Sequence, residues 1–158
     1  MEELQFVTFT LESEEYGIPI NKVREIIKIS EWNKVPRAPY FIKGVINLRG
    51  EIIPIIDLRI LFKIKKTSSK DQYQIVIIEI SGNRVGIMVE EVNEVIKLTA
   101  AAIEQLPDIL KTDGSSFIMG MGKQDNRILI LLNADEILSN DKEEFIRFQR
   151  DVVVDVTG

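Results

Sequence analysis

The chain has 158 residues and a formal net charge of −5, with 45% hydrophobic and 28% charged residues. This balance fits a globular chain long enough to bury a core, and it argues against broad nucleic-acid binding, which needs clustered Lys and Arg. His and Cys are both absent, so the commonest general base, the commonest transition-metal ligand, the thiolate nucleophile and disulfides are all excluded.

In chain order, Met1–Gln5 has no basic lead and no long apolar stretch, so it is not read as a signal peptide. The longest apolar runs, such as Val85–Val89 and Ile128–Leu132, fall far short of the roughly 20 residues of a membrane helix. No direct membrane insertion is expected, and the expected location is the cytoplasm. Phe6–Leu11 and Ile52–Ile56 read as strands, being short, β-branched and apolar. Pro54 suits an edge or a barrel corner. Asp57 is placed to cap a short helical turn through Phe62. Lys63–Gln72 reads as a solvated joint.

Ile75–Ile80 and Val85–Val89 read as a hairpin turned at Ser81-Gly82-Asn83-Arg84. Thr99 is expected to N-cap a short helix over Ala100–Ala102, with Leu98 and Ile103 as a hydrophobic staple and Pro107 as its stop. Ile128–Leu132 is a further strand. A carboxyl-terminal helix is expected over about residues 139–150, its regular part running from Asp141 to Arg150 with Phe145 and Phe148 on one face. The tail Asp151–Gly158 is β-prone and is expected either to pair as an extra strand or to stay mobile.

An internal repeat runs through these elements. At an offset of 69, Phe6–Phe9 fall on Ile75–Ile78, Tyr16–Ile18 on Val85–Ile87, and Val23, Glu25 and Ile27 on Val92, Glu94 and Ile96. At an offset of 76, Phe41, Gly44, Ile52 and Leu61 fall on Phe117, Gly120, Ile128 and Ile137. A match at a fixed period indicates repeated structural units. The expectation is an all-β chain with minor helices, built as two five-stranded barrels over residues 1–65 and 70–138, packed on each other because units this small rarely stand alone.

Copies of one fold share structural demands, so their differences point to function. Asn47-Leu48-Arg49-Gly50 aligns with the ordinary polar turn Lys123-Gln124-Asp125-Asn126. A Leu beside an Arg at an exposed tip offers an apolar contact and a planar fork of donors to a partner. The alternative is that Leu48 caps its own barrel and Arg49 pairs with Glu51 or Asp57. The shared Gly17, Gly44, Gly86 and Gly120 are read as packing positions. Glu90, Glu91, Glu94, Asp135 and Glu136 have no nucleophile or electrophile beside them in the sequence, and no EF-hand spacing or phosphate loop occurs. Neither catalysis nor a bound metal or cofactor is expected.

The segment Phe41–Arg59, with Gly44-Val45-Ile46-Asn47-Leu48-Arg49-Gly50 at its centre, strongly resembles the signature of the CheW family of bacterial chemotaxis coupling proteins. Glu15–Ile20, Val23–Ile26, Val85–Val89 and Val92–Val95 are similar to other strands of that family, so the resemblance covers about residues 4–146. It implies a single CheW-like domain over 1–158, made of two SH3-like barrels. It also implies a non-enzymatic adaptor that joins the regulatory domain of the histidine kinase CheA to the cytoplasmic tips of methyl-accepting chemoreceptors, which would recruit it to the inner face of the membrane. The resemblance places Val23, Glu25 and Gly44 near the kinase-facing surface, Asn47, Leu48 and Arg49 with Gly50 near the receptor side, and the receptor hairpin in the groove between barrels. A CheW-like scaffold of another receptor-kinase pathway and a carboxylate-dependent enzyme are the alternatives.

Overall fold

The computed structural model describes residues 2–67, 72–110 and 116–157. Strands dominate it. They are β1 (Glu3–Leu11), β2 (Glu14–Pro19), β3 (Val23–Ile29), β4 (Ile42–Leu48), β5 (Glu51–Asp57), β6 (Tyr73–Ile80), β7 (Asn83–Val89), β8 (Glu91–Thr99), the two-residue β9 (Ile103–Glu104), β10 (Ile118–Gln124) and β11 (Arg127–Leu132). The helices are α1 (Leu58–Leu61) and α2 (Lys142–Thr157), with short 3-10 turns such as Ile20–Lys22 and Ala100–Ala102.

The strands form two sheets, ordered β8-β1-β2-β11-β10-β9 and β3-β6-β7-β5-β4. In the terms of the repeat, β1 to β5 correspond to β6, β7, β8, β10 and β11. Both sheets then carry the same order: third, first, second, fifth, fourth. The first hairpin of each half completes the sheet of the other half. The parallel pairs fall at matching places, Leu131 opposite Gly17 and Ile55 opposite Gly86. The expected division into one barrel over 1–65 and another over 70–138 is therefore corrected: each SH3-like barrel takes strands from both halves. Of the joint expected at Lys63–Gln72, residues 68–71 fall outside the described residues.

Three apolar clusters follow from this arrangement. Along β6, Ile75 and Ile77 point into one barrel with Ile53, Ile55 and Met88. Val76, Ile78 and Ile80 point the other way, into a central cluster with Phe9, Ile18, Phe41 and Phe145. Phe6, Ile96, Leu98, Leu129 and Leu131 fill the second barrel. A strand buried on both faces needs an unbroken apolar run, which is what Ile75–Ile78 supplies. Each fully buried Ile contributes about 1.5–3 kcal/mol by leaving water.

Local expectations fare unequally. Asp57 caps α1 by accepting from the Arg59 amide at 3.0 Å. Ser81 and Gly82 turn the β6–β7 hairpin with φ of 51° and 83°. Pro54 is not on an edge, since β5 lies between β7 and β4; it pairs with Val45 and sits one residue before the parallel register with β7 begins. Thr99 precedes a single 3-10 turn and makes no side-chain cap, so that expectation is corrected. The tail expected to pair as a strand or stay mobile continues α2 as helix to Thr157.

Candidate partner-binding face

The turn from β4 to β5 is a two-residue hairpin in which Arg49 and Gly50 both have positive φ, 51° and 87°. That geometry matches the twist of the flanking strands, and Gly takes it without strain. The Asn47 Oδ1 accepts from the Gly50 amide at 2.8 Å and pins the loop. The geometry aims Arg49 at Glu25 on β3. Its guanidinium donates from both ends, Nη1 to Oε1 at 3.1 Å and Nη2 to Oε2 at 2.5 Å. Hydrogen bonding from Arg49 holds the Glu25 carboxyl below its ordinary range, and the same bond holds the Arg49 guanidinium above its own. Since β3 and β4 end the sheet order on opposite sides, this pair bridges the seam where the barrel closes.

The carboxylates that the alternative reading offered to Arg49 are therefore replaced by Glu25. Glu51 faces Arg84 at 3.4 Å, and Asp57 is taken by Arg59 and Lys66. Glu25 was not foreseen as the partner because it lies 24 residues away on another strand. Leu48 is half-buried and packs on the barrel cluster of Ile46, Ile53 and Ile55. Val23 is half-buried, opens β3 opposite Ile78, and packs on the central cluster. Gly44 is buried: a Cβ there would stand 2.5 Å from the Asn33 carbonyl oxygen and 2.7 Å from Trp32 Cδ1. Of the residues singled out, Glu25, Asn47, Arg49 and Gly50 form one connected surface feature; Leu48 packs on the barrel cluster, Val23 on the central cluster, and Gly44 against Asn33 and Trp32.

The second barrel repeats the latch with its arginine moved. Arg127 stands at the repeat position of Glu51 and donates to Glu94, the counterpart of Glu25, at 2.8 Å, and to Glu15 at 2.6 Å. Both barrels thus tie their third strand to a β-hairpin arginine. The turn Lys123–Asn126 is plain in sequence, but the latch it accompanies is not missing.

Two further features had no clear signal in the sequence. Arg59 is buried and donates to Asp57, Glu12 and the Tyr73 hydroxyl. Burial opposes its charge, but the hydrogen bonds to Tyr73, Asp57 and Glu12 outweigh it and hold the guanidinium above its ordinary range. Glu12 sits in the β1–β2 turn, and it also accepts from the Thr67 amide at 3.2 Å. Arg59 thereby joins α1 of one barrel to the exchanged hairpin of the other. Separately, exposed Leu4, Ile20 and Met119 line a cleft of about 300 Å³ floored by Phe6.

Residues 5–142 match the family model of the CheW-like domain. The chain belongs to the CheW family. Chemotaxis protein CheW of Klebsiella aerogenes is 38% identical over 138 residues, covering 87% of this chain and 83% of that relative. The CheW of Helicobacter pylori is 33% identical over 140 residues, covering 89% and 84%. The crystal structure of the scaffolding protein TtCheW from Thermoanaerobacter tengcongensis superposes with a TM-score of 0.81 at 36% identity, covering 90% of this chain and 97% of that one. A CheW fold accounts for the two SH3-like barrels, and a scaffold role in chemotaxis follows from membership of the family. Among the described residues, no helix is long and apolar enough to cross a membrane.

Proposed function

We propose that this CheW-family chain is a non-enzymatic adaptor that binds the regulatory domain of the kinase CheA and the cytoplasmic tip of a methyl-accepting chemoreceptor at the same time. In this reading, Val23, Glu25 and Gly44 shape the surface offered to the kinase, and Asn47, Leu48, Arg49 and Gly50 form the adjoining corner towards the receptor. The observation that carries the proposal is the Glu25–Arg49 pair, which makes one corner from Val23–Ile26 and Phe41–Arg59, the two segments that resemble the family there. The apolar cleft at Leu4, Ile20 and Met119 suits one face of an amphipathic receptor helix. The protein itself would sit in the cytoplasm and reach the membrane through its receptor. Co-purification with a CheA regulatory domain and a receptor-tip fragment tests this. A three-part complex is expected, and folded protein that binds neither fragment overturns the reading.

A further inference from the structure

The repeat makes it possible to compare how the two barrels close: they share one pairing and differ at the next. In one, Gly122 on β10 leaves room for Leu98 of β8, whose Cδ1 would lie 2.7 Å from a Cβ at that glycine. The chain then passes through Ala100–Ala102 and pairs β9 with β10, Ile103 opposite Gly122. The seam is filled by the chain's own short strand.

In the other barrel the position of Gly122 is taken by Ile46 and that of Leu98 by Ile29. Among the described residues, one bridge, Asn33 opposite Val45, joins the segment after β3 to β4; it is the counterpart of Glu104 opposite Met121, and the second pair, Ile103 opposite Gly122, has no equivalent here. A cleft of about 630 Å³ remains between β3 and β4, lined by Ile27, Ile29, Trp32, Ile46 and Leu48. These side chains belong to the barrel's apolar cluster or pack directly against it. Both walls are end strands of the sheet order, so β3 along its outer side and β4 beyond Val45 have no strand partner among the described residues.

We propose that this cleft receives an extended segment of a partner protein, which adds as a strand between β3 and β4. Unpaired backbone edges ask for donors and acceptors at strand spacing, and a helix, about 10–12 Å across with its own bonds satisfied, offers none. The apolar lining selects a segment with apolar residues at alternate positions. The rim selects its charge: Lys34 lines the cleft, and Lys43 reaches to 5.6 Å from the Trp32 ring. Neither lysine has a carboxylate partner among the described residues, and Glu31 is the one acid on this rim. The occupant is therefore an apolar strand with acidic flanks. The proposal deepens the adaptor reading by giving its partner surface a binding mode, and it rests on that reading only for who supplies the strand.

Trp32 is the sole Trp of the chain, so its fluorescence reports filling of the cleft. The full-length protein is titrated with the synthetic peptide Glu-Val-Thr-Val-Thr-Val-Glu, with its Lys-flanked counterpart, and with a copy N-methylated at alternate residues. The acidic peptide is expected to shift Trp32 emission to shorter wavelength and to saturate. The Lys-flanked peptide should bind more weakly, the N-methylated copy should give no shift, and Lys34→Glu with Lys43→Glu should reverse the charge preference. Absence of a saturable shift, or equal binding by the N-methylated copy, overturns strand addition; an unreversed preference overturns the acidic specificity. A peptide that binds while kinase and receptor fragments do not would sink the adaptor reading alone.

Discussion

Arg49 holds Glu25 by both ends of its guanidinium, at 3.1 and 2.5 Å, and so joins the hairpin tip of one edge strand to the face of the other. The pair is exposed, and exposed pairs contribute little to stability. Its value lies in fixing the shape of a corner. Arg49→Ala is expected to leave the melting temperature close to that of the parent while weakening capture of kinase or receptor fragments. The exchange Glu25→Arg with Arg49→Glu separates two roles. If it restores the complex, the pair braces the surface; if not, a partner contacts one of these side chains directly.

Leu48→Asp is a different kind of variant. Leu48 packs against the barrel cluster, so a carboxylate there loses apolar burial and is expected to lower stability as well as binding. Chemical denaturation separates the two effects: a lower midpoint accompanies the loss of complex, unlike the case of Arg49→Ala.

Gly44→Ala tests packing of β4 against the segment that follows β3. The added methyl meets the Asn33 carbonyl at 2.5 Å and Trp32 at 2.7 Å, and overpacking of this kind costs about 1–3 kcal/mol. A lowered denaturation midpoint together with altered Trp32 emission is expected. Gly120→Ala, which meets the Glu104 carbonyl at 2.8 Å, should lower the midpoint without moving the Trp signal.

Arg59→Met removes the cation that joins the two barrels and leaves Asp57 with Lys66 and Glu12 with Thr67. Breaking a buried pair by deleting one partner costs about 3–5 kcal/mol. Lys is not expected to rescue it, because an ammonium cannot reproduce the planar fork that reaches Asp57, Glu12 and Tyr73. Thermal unfolding of the two variants measures this.

Acid sensitivity follows from three carboxylates. Glu12, Glu15 and Glu25 are held below their ordinary value of 4.5, chiefly by hydrogen bonds from Thr67, Arg127 and Arg49 respectively. A depressed folded-state value adds stability above the unfolded value and loses it as pH falls through the folded one. Stability should therefore decline as pH drops below about 4.5. Without His, it should be nearly flat between pH 6 and about 8. Glu12→Gln should flatten the acid limb in a pH series of denaturant midpoints.

Much of this architecture was legible in the residues. Apolar runs gave the strands, and matching Gly positions gave the repeat. The exchange of hairpins was not legible, because the run Ile75–Ile78 tells how deeply β6 is buried but not which barrel it joins. The Glu25–Arg49 contact was hidden for a related reason: nothing local couples a strand residue to a turn on the far side of a seam. Comparing Arg49 with Asp125 also concealed the second latch, since Arg127 does the same task from two residues further on. The tail misled through its chemistry. Val152–Val154 favour strands by propensity, yet the helix begun at Lys142 continues through them.

The reciprocal hairpins have a mechanical consequence. Neither half of the chain can be pulled from the other without drawing β1–β2 and β6–β7 out of their host sheets. A load applied between the halves is carried as shear along whole ladders, such as β1 on β8 and β3 on β6, in which many hydrogen bonds must fail together. Two proteins gripping opposite halves would thus be coupled through paired strands and not through a hinge.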